Sequence, residues 1–257
     1  MTAPVTPDVD SVTVVEDGSV AVVTFGSGRH HNALSTGQWA ALAEVARDLA
    51  GRPSLRAVVL RGREGDFCSG SDLREWDGAT SDEVDRSFAT LEGALRAVED
   101  LPMLTVAVIE GVAAGGGCQL ALACDLQLSA ASGRIGMPIA RLGILIPVTF
   151  ATRMSVRVGP SRAKDLLYRG RMLPALEAQR IGLITTVVDD DDLDAELAAL
   201  QASWEHLSAA SLRAAKAAVD RGLAPVTGPS RAQPPARTTD PDEFPTRIAA
   251  FFHRRRR

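Results

Sequence analysis

The residues best suited to chemistry lie between Val106 and Asp125, VAVIEGVAAGGGCQLALACD. Thr105 to Ile109 is rich in β-branched residues and reads as a buried strand. Gly115, Gly116 and Gly117 follow, and Cys118 to Ala123 continues as an apolar helical segment. Three adjacent glycines let a backbone come close to a ligand, and a helix start leaves peptide N–H groups without partners. Such groups hold a phosphate or the oxygen of a polarised carbonyl. The same glycines also permit nothing more than tight strand–helix packing. No Lys-Ser/Thr pair follows, so the turn is not a Walker loop. Its spacing is not that of a dinucleotide fingerprint either.

The elements that must position this turn alternate strand and helix. Ser11–Glu16 and Ser19–Phe25 flank Asp17-Gly18 and predict a hairpin. A loop carrying Arg29, His30 and His31 leads to a helix from Thr36 to about Ala50. Arg56–Leu60 reads as a short buried strand, 61–70 as a polar loop, and 81–100 as an amphipathic helix. Beyond the glycines, strands are predicted near 125–129, 133–136 and 184–188, with helices over 149–158, 161–167 and 174–180. The acid run Asp189–Asp192 suits a helix start. Two Ala-rich helices, 193–207 and 209–223, precede 224–241, whose five prolines read as a loop, and a last helix begins near Pro245. The fold class is α/β, with a core over 1–192 and a helical region over 193–257.

The 257 residues carry a formal net charge of −4, which argues against a nucleic-acid or membrane-surface partner. Only Lys164 and Lys216 are lysines; the other cations are arginines. Three cysteines, without metal spacing, fit reduced thiols in a cytoplasmic protein. The N-terminus has no apolar signal-peptide core, and no apolar run is long enough to span a bilayer. No metal or redox-cofactor motif is present.

RHHNALS (29–35), GDFCSGSDL (65–73), EGVAAGGGCQLALACD (110–125) and GRIGMPIARLGILI (133–146), in this order, resemble the crotonase superfamily of enoyl-CoA hydratases and isomerases. The resemblance covers about 11–223 and the final helix. It implies a spiral of ββα units with a helical C-terminal trimerisation region, in trimers or hexamers. It implies an acyl thioester substrate, of coenzyme A or a carrier protein, with coenzyme A as part of the substrate and no bound cofactor. By motif position, the thioester oxygen lies between the N–H groups of Ser71 and Gly116. Chemistry beside the carbonyl pushes charge onto that oxygen, and each such donor is worth about 3–4 kcal/mol of barrier. Ser69, Asp72 and Leu73 then run along the coenzyme, with His31 near it. Trp76, Leu142, Ile144 and Ile146 are candidate acyl-pocket linings. Phe251 or Phe252 either packs internally or covers the nucleotide of a neighbouring subunit.

The sequence departs from the family pattern where hydratases carry two glutamates. Gln119 and Ile139 stand at those positions, and no acid lies between Ile144 and Thr149. Gln exchanges no proton at neutral pH and Ile neither donates nor accepts, so the two-glutamate addition of water is not expected. Gln119 is expected as a non-acidic polar contact to substrate. Arg141, the nearest ionisable residue after Ile139, binds a carboxylate or makes a surface pair, and the surface pair is the favoured reading. Glu110 is expected in solvent at a strand end, and Cys118 buried and inert. Glu75 and Asp77 are not expected in the pocket. Three functions remain: a hydratase/isomerase relative with altered acid–base groups, a malonyl-type thioester decarboxylase, and a non-catalytic thioester-binding protein.

Overall fold

The computed structural model describes residues 12–232 and 237–255. The hairpin forms as read: β1 (Val12–Asp17) pairs antiparallel with β2 (Val20–Phe25). Parallel strands β3 (Ala57–Gly62), β4 (Leu104–Ile109), β6 (Leu126–Ala130) and β9 (Thr186–Val188) complete one sheet in the order β1-β2-β3-β4-β6-β9. Side chains alternate across it, as the two-residue period of a strand requires. Val58, Leu60, Ala107 and Ile109 face a large core shared with α1 (Thr36–Ala50), α2 (Ser81–Glu99) and α3 (Gly116–Ala123). Val59, Val106, Val108 and Leu128 face the other way, onto Leu193, Leu197 and Trp204 of α7 (Leu193–Glu205). A second sheet joins β5 (Val112–Ala114), β7 (Arg134–Gly136) and β8 (Met172–Pro174) in the order β5-β7-β8.

Ser35 caps α1, and Gln38 at the third helical position closes a capping box with it. Strands β5 and β8, of three residues each, differ from the sequence expectation, which placed no strand there. A 3₁₀ turn over Pro138–Leu142 leads to α4 (Val148–Val158), α5 (Pro160–Arg169) and α6 (Ala175–Arg180).

The predicted loop over 224–241 is corrected in its first half. Helix α8 runs from Ala209 to Ala232, through Pro225 and Pro229. The two prolines are four residues apart on an exposed face. The turns that lose helical donors there are exposed to solvent, which limits the usual penalty. The far end is tied down: Arg231 pairs with Glu99 (2.7 Å) and Asp100 (3.1 Å), and Arg96 donates to the Arg231 carbonyl. Residues 233–236 of the predicted loop lie outside the described residues. Residues 237–242 dock on the body, where Leu145 N–H donates to the Thr238 carbonyl (2.8 Å) and Thr238 bonds Asp85. Helix α9 (Glu243–Arg255) then packs on the 3₁₀ turn and sends Phe244 and Ile248 into the main core.

Candidate active site

Two loops cross at the N-terminus of α3. Residues 68–70 run beside β5: Cys68 N–H donates to the Val112 carbonyl (2.8 Å), and Ala114 N–H to the Cys68 carbonyl (2.9 Å). Gly117 has to be glycine, because a Cβ there would stand 2.0 Å from the Cys68 carbonyl oxygen. At Gly70, with φ +99°, a Cβ would lie 3.0 Å from both the Ala114 oxygen and the Gly116 nitrogen. On its other side the loop is bonded to 30–34. Leu34 N–H donates to the Gly70 carbonyl, Asp72 N–H to the Leu34 carbonyl and Ser69 N–H to the His31 carbonyl, each at 2.8 Å. The N–H groups of Ser71 and Gly116 are left over: neither donates to an acceptor among the described residues. No side chain caps α3, so its first turn presents open donors. Its other end is held by Arg157, which donates to the carbonyls of Leu122 (3.0 Å) and Cys124 (2.7 Å). Burial pushes the pKa of that guanidinium down.

These loops open onto a cavity of about 930 Å³. Ser71, Gly116 and Ile139 line it, as do Ser69, Asp72 and Leu73. Trp76, Leu142 and Ile144 supply apolar wall, with His31 at one side, whereas Ile146 packs on the core outside it. Phe88, Leu91 and Phe150 complete the apolar surface. Trp76 stacks on Phe88, their ring centroids 5.2 Å apart, and donates to Ser87. Phe251 and Phe252 both line the cavity of their own chain, in an edge-on pair.

The charged groups are sorted by this geometry. Asp72 is the one carboxylate among the described lining residues, and Arg74 grips both of its oxygens. Burial would raise the Asp72 pKa, but the Arg74 bonds outweigh it and hold the group below its usual range. Arg74 Nη1 also lies 3.0 Å from His30 Nε2. His31 Nδ1 lies 2.8 Å from Asp66, a partner 35 residues away that no local pattern predicts. Three successive non-glycine residues, His30, His31 and Asn32, have φ between +52° and +54°. The run is held by Asn32, fully buried, whose amide donates to the carbonyls of Arg63 and Asp66.

Gln119 does not line the cavity, contrary to its expected contact with substrate. It is fully buried; its Oε1 accepts from Arg153 Nη1 (2.9 Å) and its Nε2 faces Met137 Sδ (3.5 Å). Arg153 is the residue the sequence reading missed. It also pairs with Glu99 (2.6 Å), and its phase on α4 relative to α3 is a tertiary property. Glu110 pairs with Arg61 (2.9 Å) instead of ending in solvent. Glu75 accepts from the Thr36 N–H and hydroxyl at 2.8 Å, outside the cavity, and Asp77 does not line it. Arg141 lines the cavity and makes no ion pair among the described residues, so the favoured surface pair is overturned. The three cysteines are free and buried, and burial pushes the Cys68 and Cys118 thiols up to about 12. No metal-binding cluster and no membrane-crossing helix occur among the described residues.

Residues 16–237 match the model of the enoyl-CoA hydratase/isomerase family. The chain belongs to this family. It is 32% identical over 215 residues to "Probable enoyl-CoA hydratase echA8" of Mycobacterium tuberculosis, covering 83% of this chain and 82% of that one. It is 31% identical to the mitochondrial methylglutaconyl-CoA hydratase of Mus musculus, covering 81% of this chain and 69% of the relative. Among solved structures it resembles an enoyl-CoA hydratase/carnithine racemase from Magnetospirillum magneticum, with a TM-score of 0.81, 32% identity and coverage of 84% and 82%. A Thermobifida fusca protein solved in complex with acetoacetyl-CoA matches with a TM-score of 0.76, 27% identity and coverage of 86% and 93%. The two sheets, the glycine-turn helix and the helical C-terminal region are thus the crotonase fold, and the family's acyl-CoA processing is the activity class of this chain.

Proposed function

We propose that this member stabilises a thioester enolate between the N–H groups of Ser71 and Gly116 and does not add water by the two-glutamate route. The observation that carries this is the pairing of two unpartnered donors with a cavity wall that has no available carboxylate among the described residues. Donors already held in place act on charge as it develops, without reorganisation. The apolar wall excludes water and strengthens that interaction. Ser69, Asp72, Leu73 and His31 are assigned to the thioester's coenzyme arm, and Trp76, Leu142 and Phe251 to its acyl side. The thioester is of coenzyme A or a carrier protein, the enzyme is cytoplasmic, and the C-terminal region over 193–257 assembles a homotrimer or hexamer.

A second reading is favoured by Ile139 and by the buried position of Gln119. Decarboxylation of a malonyl-type thioester needs the donors but no base. The bond from Cα to the carboxylate breaks, its electron pair becomes the enolate, CO₂ leaves, and Cα takes a proton from water. A non-catalytic binding protein is the third reading. Enoyl-, malonyl- and β-ketoacyl-CoA thioesters, assayed for hydration, CO₂ release and binding, separate the three. Efficient hydration of crotonyl-CoA by the unmodified chain would sink the proposal, and loss of all thioester binding would remove the oxyanion site itself.

A further inference from the structure

The cavity holds more positive charge than its own chain neutralises. Arg74 is taken by Asp72 and His30, and Arg247 by Glu243 (2.7 Å). Arg134 reaches only the Met172 carbonyl, at 3.5 Å. Arg141 has no hydrogen bond or ion pair among the described residues, in a chain whose net charge is −4. Its stem is nevertheless seated. A Cβ placed on Gly170, the cap of α5, would stand 3.5 Å from Arg141 Nε and 3.7 Å from its Cγ, so the arginine lies along the bare backbone there. The same Cβ would meet Pro138, at the start of the 3₁₀ turn, at 3.5 Å.

Position in the turn decides which anion this guanidinium meets. Ile139 Cγ2 stands 4.0 Å from where a Gly115 Cβ would be, beside the α3 donors. Arg141 follows two residues later, a rise of about 4 Å along a 3₁₀ turn. It flanks Leu142, and both line the cavity with Ile139 and Ile144. The part of the wall that this turn supplies is therefore apolar except for the guanidinium of Arg141, unpartnered among the described residues. A plain alkyl chain would leave that exposed charge to water. A carboxylate would pair with it, and a guanidinium can hold both carboxylate oxygens at once.

We infer that Arg141 selects acyl thioesters whose acyl group carries a carboxylate of its own. This rests on the acyl-thioester reading above and names its substrate class. The phosphates of the coenzyme offer the same anionic oxygens, and the experiment separates them. Titration calorimetry compares butyryl- with succinyl-CoA, valeryl- with glutaryl-CoA, and free coenzyme A, on wild type, Arg141→Met and Arg141→Lys. The expected result is a preference of about tenfold or more for at least one carboxylated member of a matched pair. Arg141→Met abolishes that preference and leaves the alkyl thioesters within about twofold, while Arg141→Lys keeps part of it. Equal weakening of every ligand, free coenzyme A included, would assign Arg141 to the phosphates and overturn the inference. So would alkyl and carboxylated thioesters binding equally to wild type. If neither thioesters nor coenzyme A bind wild type, the acyl-thioester reading falls with it. Arg141 is exposed, and thermal unfolding of each variant checks that the fold is kept.

Discussion

Gln119 sits one helical turn from Gly116, where a carboxylate would look like a restored catalytic acid. Its surroundings argue otherwise. The side chain is fully buried, against Met137 and Arg153 and outside the cavity lining. In Gln119→Glu the new carboxylate meets Arg153, which holds it ionised and turned from the substrate. Crotonyl-CoA hydration is expected to stay at the wild-type level, and a rise of about 10²-fold or more would refute this placement. Gln119→Leu removes the acceptor and leaves a buried N–H of Arg153 unpaired. The expected cost is about 1–3 kcal/mol in urea denaturation. The sequence shows that the residue next to Cys118 is a glutamine. What it does is not legible there, because Arg153 is 34 residues away and on another helix.

At the scale of elements, Glu99 at the end of α2 joins three helices. It accepts from Arg153 on α4 (2.6 Å) and from Arg231 near the end of α8 (2.7 Å). Burial alone would raise the Glu99 pKa, but the two guanidiniums outweigh it and hold the carboxyl below its usual range. A carboxylate that is more acidic when folded contributes stability above its unfolded pKa, about 4.3. That contribution is lost as pH falls through the lower, folded value. Wild type is therefore expected to exceed Glu99→Gln in Tm at pH 7, with the difference shrinking steadily below about pH 4.5. A difference independent of pH would show that the ion pairs do not hold α8 in place. The long helices were readable from periodicity, but the extension of α8 through Pro225 and Pro229 was not. Proline marks a break in a sequence, and only the exposure of those two turns and the anchoring of Arg231 make the continuation tolerable.

At the scale of the whole molecule, the three thiols are kept inside the core. Cys68, Cys118 and Cys124 are all at or below 1% exposure. A thiol reagent is expected to label none of them at pH 8 in the native protein within minutes, and all three in urea. Fast native labelling of Cys118 would show that the turn beside Gly117 opens readily. Helix α9 returns from the far end of the sequence to place Arg247, Phe251 and Phe252 in the cavity wall of its own chain.

Read as a string, the residues determine the alternation of strand and helix, the hairpin, the glycine turn and the family's motifs. These follow from short-range periods, turn chemistry and steric limits on glycine, which are properties of neighbouring residues. Tertiary structure decided the rest: that Gln119 is enlisted by Arg153, that His31 meets Asp66, that Arg141 is left unpartnered among the described residues, and that α9 lines the cavity of its own chain. Each depends on side chains brought together from distant parts of the chain, where burial and the supply of partners set the role of a charge.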